Sequence, residues 1–136
     1  MSDIRQVTED FAVAPQILPD DMAEASKMGF ALVINNRPDG EVPDQPSSAQ
    51  MAAAAEAAGL AYVHIPVRGS PTPEQVEAVA VAVQEAKGPV LAFCRSGTRS
   101  IVTWSLGKAI SGARSREDLV RLGADAGYDL SGVLGV

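Results

Sequence analysis

Short apolar blocks alternate along this chain with amphipathic or alanine-rich stretches, and polar turns separate them. Phe11 to Ile17 reads as a strand that ends near Pro19. Asp20 to Met28 has helical composition, with acidic residues in its first turn and Gly29 as a stop. Phe30 to Ile34 is a continuous apolar run, the pattern of a strand buried on both faces. Asn35-Asn36-Arg37-Pro38-Asp39-Gly40-Glu41 makes a polar turn, and Val42 to Pro46 prolongs the loop. Ser47 or Ser48 caps an alanine-rich helix running to Ala58 and closed by Gly59. Leu60 to Val67 is a third strand, followed by the loop Arg68-Gly69-Ser70-Pro71.

The second half is marked more sharply. Thr72 caps a helix with Pro73 at its first position and Gln75 placed to complete a capping box. Val76, Val79, Ala80 and Val83 form its apolar face. Gly88-Pro89 breaks the helix, Val90 to Phe93 is a fourth strand, and Cys94 follows directly. Arg99 to Ile110 reads as a helix. Ser115, with Asp118 three residues later, opens a last helix that ends near Gly127. Strand and helix alternate with short turns, which predicts an α/β fold: a single domain, with a mainly parallel central sheet flanked by helices. Reactive sites in such folds lie beyond the carboxyl ends of the strands. Three loops meet that condition: Asn35 to Pro46, Arg68 to Pro71, and Cys94 to Ser100.

Composition narrows the class of partner. At 136 residues the chain suits one domain, 1–136, long enough to fold without metal or disulfide staples. The net charge is −6, which argues against nucleic acid and anionic membrane surfaces as partners. Met1 to Asp10 carries Asp3, Glu9 and Asp10 and lacks the apolar region of a secretory signal. No run approaches the roughly 18 apolar residues of a membrane span, so a cytoplasmic location is expected. One cysteine excludes an internal disulfide and cannot supply the ligand set of a structural zinc site. No metal and no cofactor is expected.

That cysteine sits where chemistry is expected. Cys94-Arg95-Ser96-Gly97-Thr98-Arg99-Ser100 joins a buried strand to a helix through a short polar turn. Amides of Arg95, Ser96, Gly97 and Thr98 can converge on an anion as a nest, and the helix N-terminus adds partial positive charge. These influences favour thiolate over thiol at Cys94. The same cradle fits a tetrahedral oxyanion, with the planar fork of Arg99 gripping two oxygens. Ser100 can hydrogen-bond the thiolate as a leaving group or serve as a first-turn residue; both roles are open.

Two families share this loop. Rhodanese-type sulfurtransferases carry Cys-Arg-x-Gly-x-Arg-Ser after an apolar strand, and Val90 to Ser100 resembles that. Protein tyrosine and dual-specificity phosphatases place five residues between Cys and Arg; here four, Arg95 to Thr98, intervene. More of the chain resembles a third family. Val33 to Glu41, His64-Ile65-Pro66-Val67, the Cys loop and Ala126-Gly127-Tyr128-Asp129-Leu130 are similar to the beta-lactamase-hydrolase-like, phosphatase-like family, over about 11–130. The resemblance implies a cysteine-phosphatase-like fold with either phosphatase or sulfur-transfer chemistry. It also implies a persulfide dioxygenase as a partner, since members occur alone or fused to one.

The two reactions make different demands. Phosphate-ester hydrolysis needs a thiolate, a cradle for three oxygens and an acid for the leaving oxygen. Cys94, the loop amides and Arg99 meet the first two. The Asp that follows the third strand in dual-specificity phosphatases is replaced here by Arg68-Gly69-Ser70. Asp39 is the substitute general acid, although Pro-Asp-Gly is also a standard turn sequence; Glu41 is a weaker candidate. Asn36 and Arg37 are candidate substrate contacts, or a turn residue and a surface ion-pair partner. Sulfur transfer needs only a Cys94 persulfide, and a loop one residue shorter loses roughly 3.5 Å of contour, which suits a sulfur atom. The expected function is phosphatase-type hydrolysis of a phosphorylated small molecule or protein. Transfer of sulfane sulfur is the alternative, and a silent anion-binding or accessory module is the third reading. His64 and Trp104 read as structural.

Overall fold

The computed structural model describes residues 3–136. Five strands form one sheet: β1 (Arg5–Thr8), β2 (Phe11–Ala14), β3 (Leu32–Asn35), β4 (Ala61–His64) and β5 (Val90–Phe93). The helices are α1 (Asp21–Lys27), α2 (Ser48–Ala57), α3 (Pro73–Glu85), α4 (Thr98–Ser111), α5 (Arg116–Asp125) and α6 (Ser131–Leu134). Sheet order is β1-β2-β5-β3-β4, with β1 antiparallel to β2 and the remaining pairs parallel.

β5 is the middle strand, and all four of its residues are buried. Alternate residues point to opposite faces, so each strand feeds two cores. Phe11, Val13, Val90 and Ala92 face a cluster with Val79, Ile101, Trp104, Leu119 and Leu130. Ala12, Ala14, Leu91 and Phe93 face another with Ile17, Met22, Met51 and Ala55. Two helical layers therefore sandwich the sheet. Trp104 stacks on Phe11 with ring centroids 4.7 Å apart.

The helix starts follow the sequence logic. Ser47 and Thr72 each form a complete capping box, with Gln50 and Gln75 respectively. Ser115 accepts from the Asp118 amide at the head of α5.

Two elements exceed the expectation. β1 extends the sheet at its edge ahead of Phe11, and Val7 is buried, so the packed core begins before residue 11. Arg5 ties this edge to the end of α5, donating to the Ala126 carbonyl at 3.0 Å. The short α6 follows α5 and buries Leu134. No described helix is long and apolar enough to cross a membrane.

Candidate active site

Parallel register places Ala14 and Asn35 on either side of Phe93. The loops after β2 and β3 therefore flank the turn that begins at Cys94. This is the topological switch point of the sheet, where an α/β fold opens a crevice at its strand ends. Backbone bonds knit the three loops together. The Asn36 amide donates to the Phe93 carbonyl at 2.8 Å, and the Gln16 amide to the Arg95 carbonyl at 3.3 Å.

Cys94 is fully buried at the base of the turn. Its Sγ accepts the Gly97 N–H at 3.1 Å. Gly97 is the residue before α4 and has φ +90°, a left-handed conformation that glycine adopts without strain. A side chain there would also collide with the Tyr128 hydroxyl, which donates to the Ser96 carbonyl at 2.9 Å. Tyr128 thus braces the outside of the loop, and burial pushes its hydroxyl above the usual tyrosine range. Ser96 donates its hydroxyl hydrogen to Thr98 Oγ1 at 3.0 Å. Arg95, Ser96 and Thr98 are exposed around the rim.

Arg99 is held by three bonds. Nη1 donates to Glu41 Oε2 at 2.8 Å and to the Val67 carbonyl at 2.9 Å, and Nη2 donates to Glu41 Oε1 at 2.9 Å. The guanidinium is pushed above its ordinary value chiefly by those Glu41 bonds, against the cost of burial, with a smaller electrostatic contribution from Cys94.

The structure redistributes several expected roles. Ser100 is buried and donates to Asn36 Oδ1 at 2.8 Å; its single hydroxyl hydrogen is committed there and not to the thiolate. Asn36, also buried, donates to the Ile65 carbonyl at 2.9 Å, so it links β3, β4 and α4 across the floor of the site. Arg37 is not a surface residue: it is 4% exposed. Its Nε donates to Glu41 Oε1 at 2.9 Å and its Nη1 to Gln16 Oε1 at 3.0 Å. Asp39 is exposed and accepts the Ser48 N–H at 2.7 Å, at the start of α2. His64 Nε2 meets the Arg37 carbonyl at 2.8 Å and serves the loop backbone.

The carboxylate that reaches the Cys loop is Glu41, two residues beyond the one favoured on sequence. Arg99 and Arg37 together hold it at about 2, well below the usual carboxylate value, with the Arg99 hydrogen bond the largest cause. Gln16 and Tyr128 are further supports that pattern reasoning did not single out. Gln16 carried no signal of its own, whereas Tyr128 lay within one of the family-like segments. Among the described residues, no group of three or more His, Cys, Asp or Glu could hold a metal ion.

The family described as "Beta-lactamase hydrolase-like protein, phosphatase-like domain" matches residues 3–111. The chain belongs to that family. It is 40% identical over 126 residues to a beta-lactamase hydrolase-like protein of Agrobacterium fabrum, covering 92% of this chain and 29% of the relative. The chain thus spans less than a third of that curated relative's length. A candidate phosphatase from Neisseria meningitidis superposes with a TM-score of 0.87 at 30% identity, covering 99% of this chain and 96% of that one. The active form of Tk-PTP superposes at 0.75 with 20% identity, over 98% and 92% of the two chains, a likeness of fold. The phosphatase-like family domain therefore has a protein-tyrosine-phosphatase-like α/β fold.

Proposed function

We propose that this family domain is a cysteine-dependent phosphatase. The observation that carries the reading is the placement of Cys94 Sγ under the Gly97 amide, 3.1 Å away, in the turn that leads directly into α4 and Arg99. The Cys94 thiolate attacks phosphorus, and the bond from phosphorus to the leaving oxygen breaks. Arg99 and the amides of Arg95 to Thr98 hold the non-bridging oxygens as charge builds on them, the type of preorganised stabilisation that dominates such barriers. Water then attacks the phosphocysteine, the P–S bond breaks, and the thiolate and inorganic phosphate are released.

The leaving oxygen needs a proton in proportion to its basicity. Glu41 is ionised in its double ion pair, and Asp39 is engaged at α2. Neither is a poised proton donor in this arrangement. Substrates with stable phenolate leaving groups are therefore favoured over alkyl phosphates. Phosphate release from an aryl phosphate by the wild type and by Cys94→Ser tests the reading; equal rates would end it.

One observation favours sulfur transfer as a second reading: only four residues separate Cys94 from Arg99. In that reaction the thiolate attacks the outer sulfur of thiosulfate, the S–S bond breaks and sulfite departs without needing an acid. The Cys94 persulfide then sits under the Gly97 amide. Intact mass after thiosulfate treatment, run beside the phosphatase assay, discriminates the two by the gain of one sulfur atom.

A further inference from the structure

Arg99 has five N–H donors, and the arrangement of the three in use is informative. Glu41 occupies the end of the guanidinium, bonding Nη1 and Nη2, while the remaining Nη1 hydrogen goes to the Val67 carbonyl. Among the described residues, the two donors without a hydrogen-bond partner are Nε–H and one hydrogen of Nη2. In a planar guanidinium these lie side by side on one edge, a second fork of the right geometry for two oxyanion oxygens. Glu41 therefore fills one edge of Arg99 and leaves the other open.

Glu41 is itself anchored. Arg37 Nε grips Oε1, the oxygen that also receives Arg99 Nη2, and Arg37 is pinned by Gln16 Oε1 on its far side. The Arg37 side chain is only 5% exposed, so it has little room to follow a moving partner. Glu41 also sits in a braced loop. Its amide donates to Gln45 Oε1 at 3.1 Å, and Gln45 Nε2 donates to the Pro38 carbonyl at 2.8 Å. A carboxylate held this way is poorly suited to swing aside for each substrate.

We infer that Glu41 is a positioning residue: the relay Gln16–Arg37–Glu41 fixes the plane of Arg99 so that its free edge is presented at Cys94 to the substrate oxyanion. The alternative role, an internal anion that competes with substrate for Arg99, predicts the opposite sign in binding. The relay also gives the short loop an external template, because the loops after β2 and β3, not the Cys loop alone, set where Arg99 points. The inference rests on the reading of Arg99 as the oxyanion clamp.

The test uses the whole chain and two variants, Glu41→Gln and Glu41→Asp, each checked for folding by its backbone amide spectrum. The first readout is the NMR order parameter of the Arg99 Nε–H in the ligand-free protein. It is expected to fall below about 0.6 in Glu41→Gln, the range of mobile groups, and to recover partly in Glu41→Asp. An unchanged value would overturn the inference. The second readout is titration with inorganic phosphate, expected to weaken about tenfold in Glu41→Gln, equivalent to about 1.4 kcal/mol; tighter binding would identify a competitor and overturn it. A wild type that binds no phosphate would count against the phosphate-ester reading, while Arg99 order would still decide the role of Glu41.

Discussion

Cys94, Arg99 and Gly97 each do something no neighbouring residue type could do in their place. Substituting Arg99→Lys keeps the charge but removes the planar fork, and with it the simultaneous grip on Glu41 and Val67 that the proposed oxyanion clamp relies on. Turnover of an aryl phosphate is expected to fall roughly 10²–10³-fold, as for loss of a preorganised oxyanion donor. Gly97→Ala meets both a φ of +90° and the Tyr128 hydroxyl. Thermal or denaturant unfolding should show a loss of about 1–3 kcal/mol, with the Ser96 carbonyl pushed off Tyr128. Asp39→Asn keeps an oxygen for the Ser48 amide, so its pH–rate profile should match that of the wild type; a basic limb present in the wild type and lost in the variant would restore Asp39 as general acid. These residues differ in how far the sequence announced them. Cys94, Gly97 and Arg99 lie within one short stretch of the chain, and their proposed roles follow from one local turn. Glu41 and Gln16 reach the site from loops far away in sequence, and only the strand order brings them there.

At the scale of elements, strong local signals located the helices well. Thr72, Pro73 and Gln75 define the start of α3, and the capping box is present. Thr72→Ala should cost about 1 kcal/mol by denaturant unfolding, without altering chemistry at Cys94, because the bonds that hold Cys94 and Arg99 come from the Cys loop, Glu41 and Val67 and not from α3. β5 was legible to the residue, since Gly88-Pro89 and the Cys turn bound it on both sides. β1 was not. Its four residues, Arg5–Thr8, bury only Val7, and a half-exposed edge strand gives too short an alternation to stand out. Strand lengths were overread at β2 and β4 for a related reason: Ile17, Ile65 and Val67 are buried by loops that pack onto the sheet, and burial alone does not distinguish a loop from a strand.

Across the whole molecule, the parallel sheet explains why the site assembles at the carboxyl ends of the strands. The loops after β2, β3, β4 and β5 each contribute, through Gln16, Arg37 with Glu41, the Val67 carbonyl, and Cys94 with Arg99. Their coupling has a pH signature. Glu41 is depressed to about 2 by Arg99 and Arg37, below its ordinary 4.5. A carboxylate lowered in the folded state adds stability above its unfolded value and loses it as pH falls through the folded one. The stability of wild type relative to Glu41→Gln should therefore be constant above about 4.5 and shrink as pH falls toward 2. Unfolding curves of both proteins across that range check it; a difference insensitive to pH would mean that the double ion pair contributes nothing.

The central claim is that Cys94 carries the phosphoryl group. The direct measurement is intact and peptide mass after acid quench of the wild type turning over an aryl phosphate, with Cys94→Ser alongside. The account predicts one phosphoryl group on Cys94 in the wild type, and phosphate release reduced roughly a thousandfold or more in the variant. Phosphate release at the same rate from Cys94→Ser, with no adduct on Cys94 in the wild type, would contradict it.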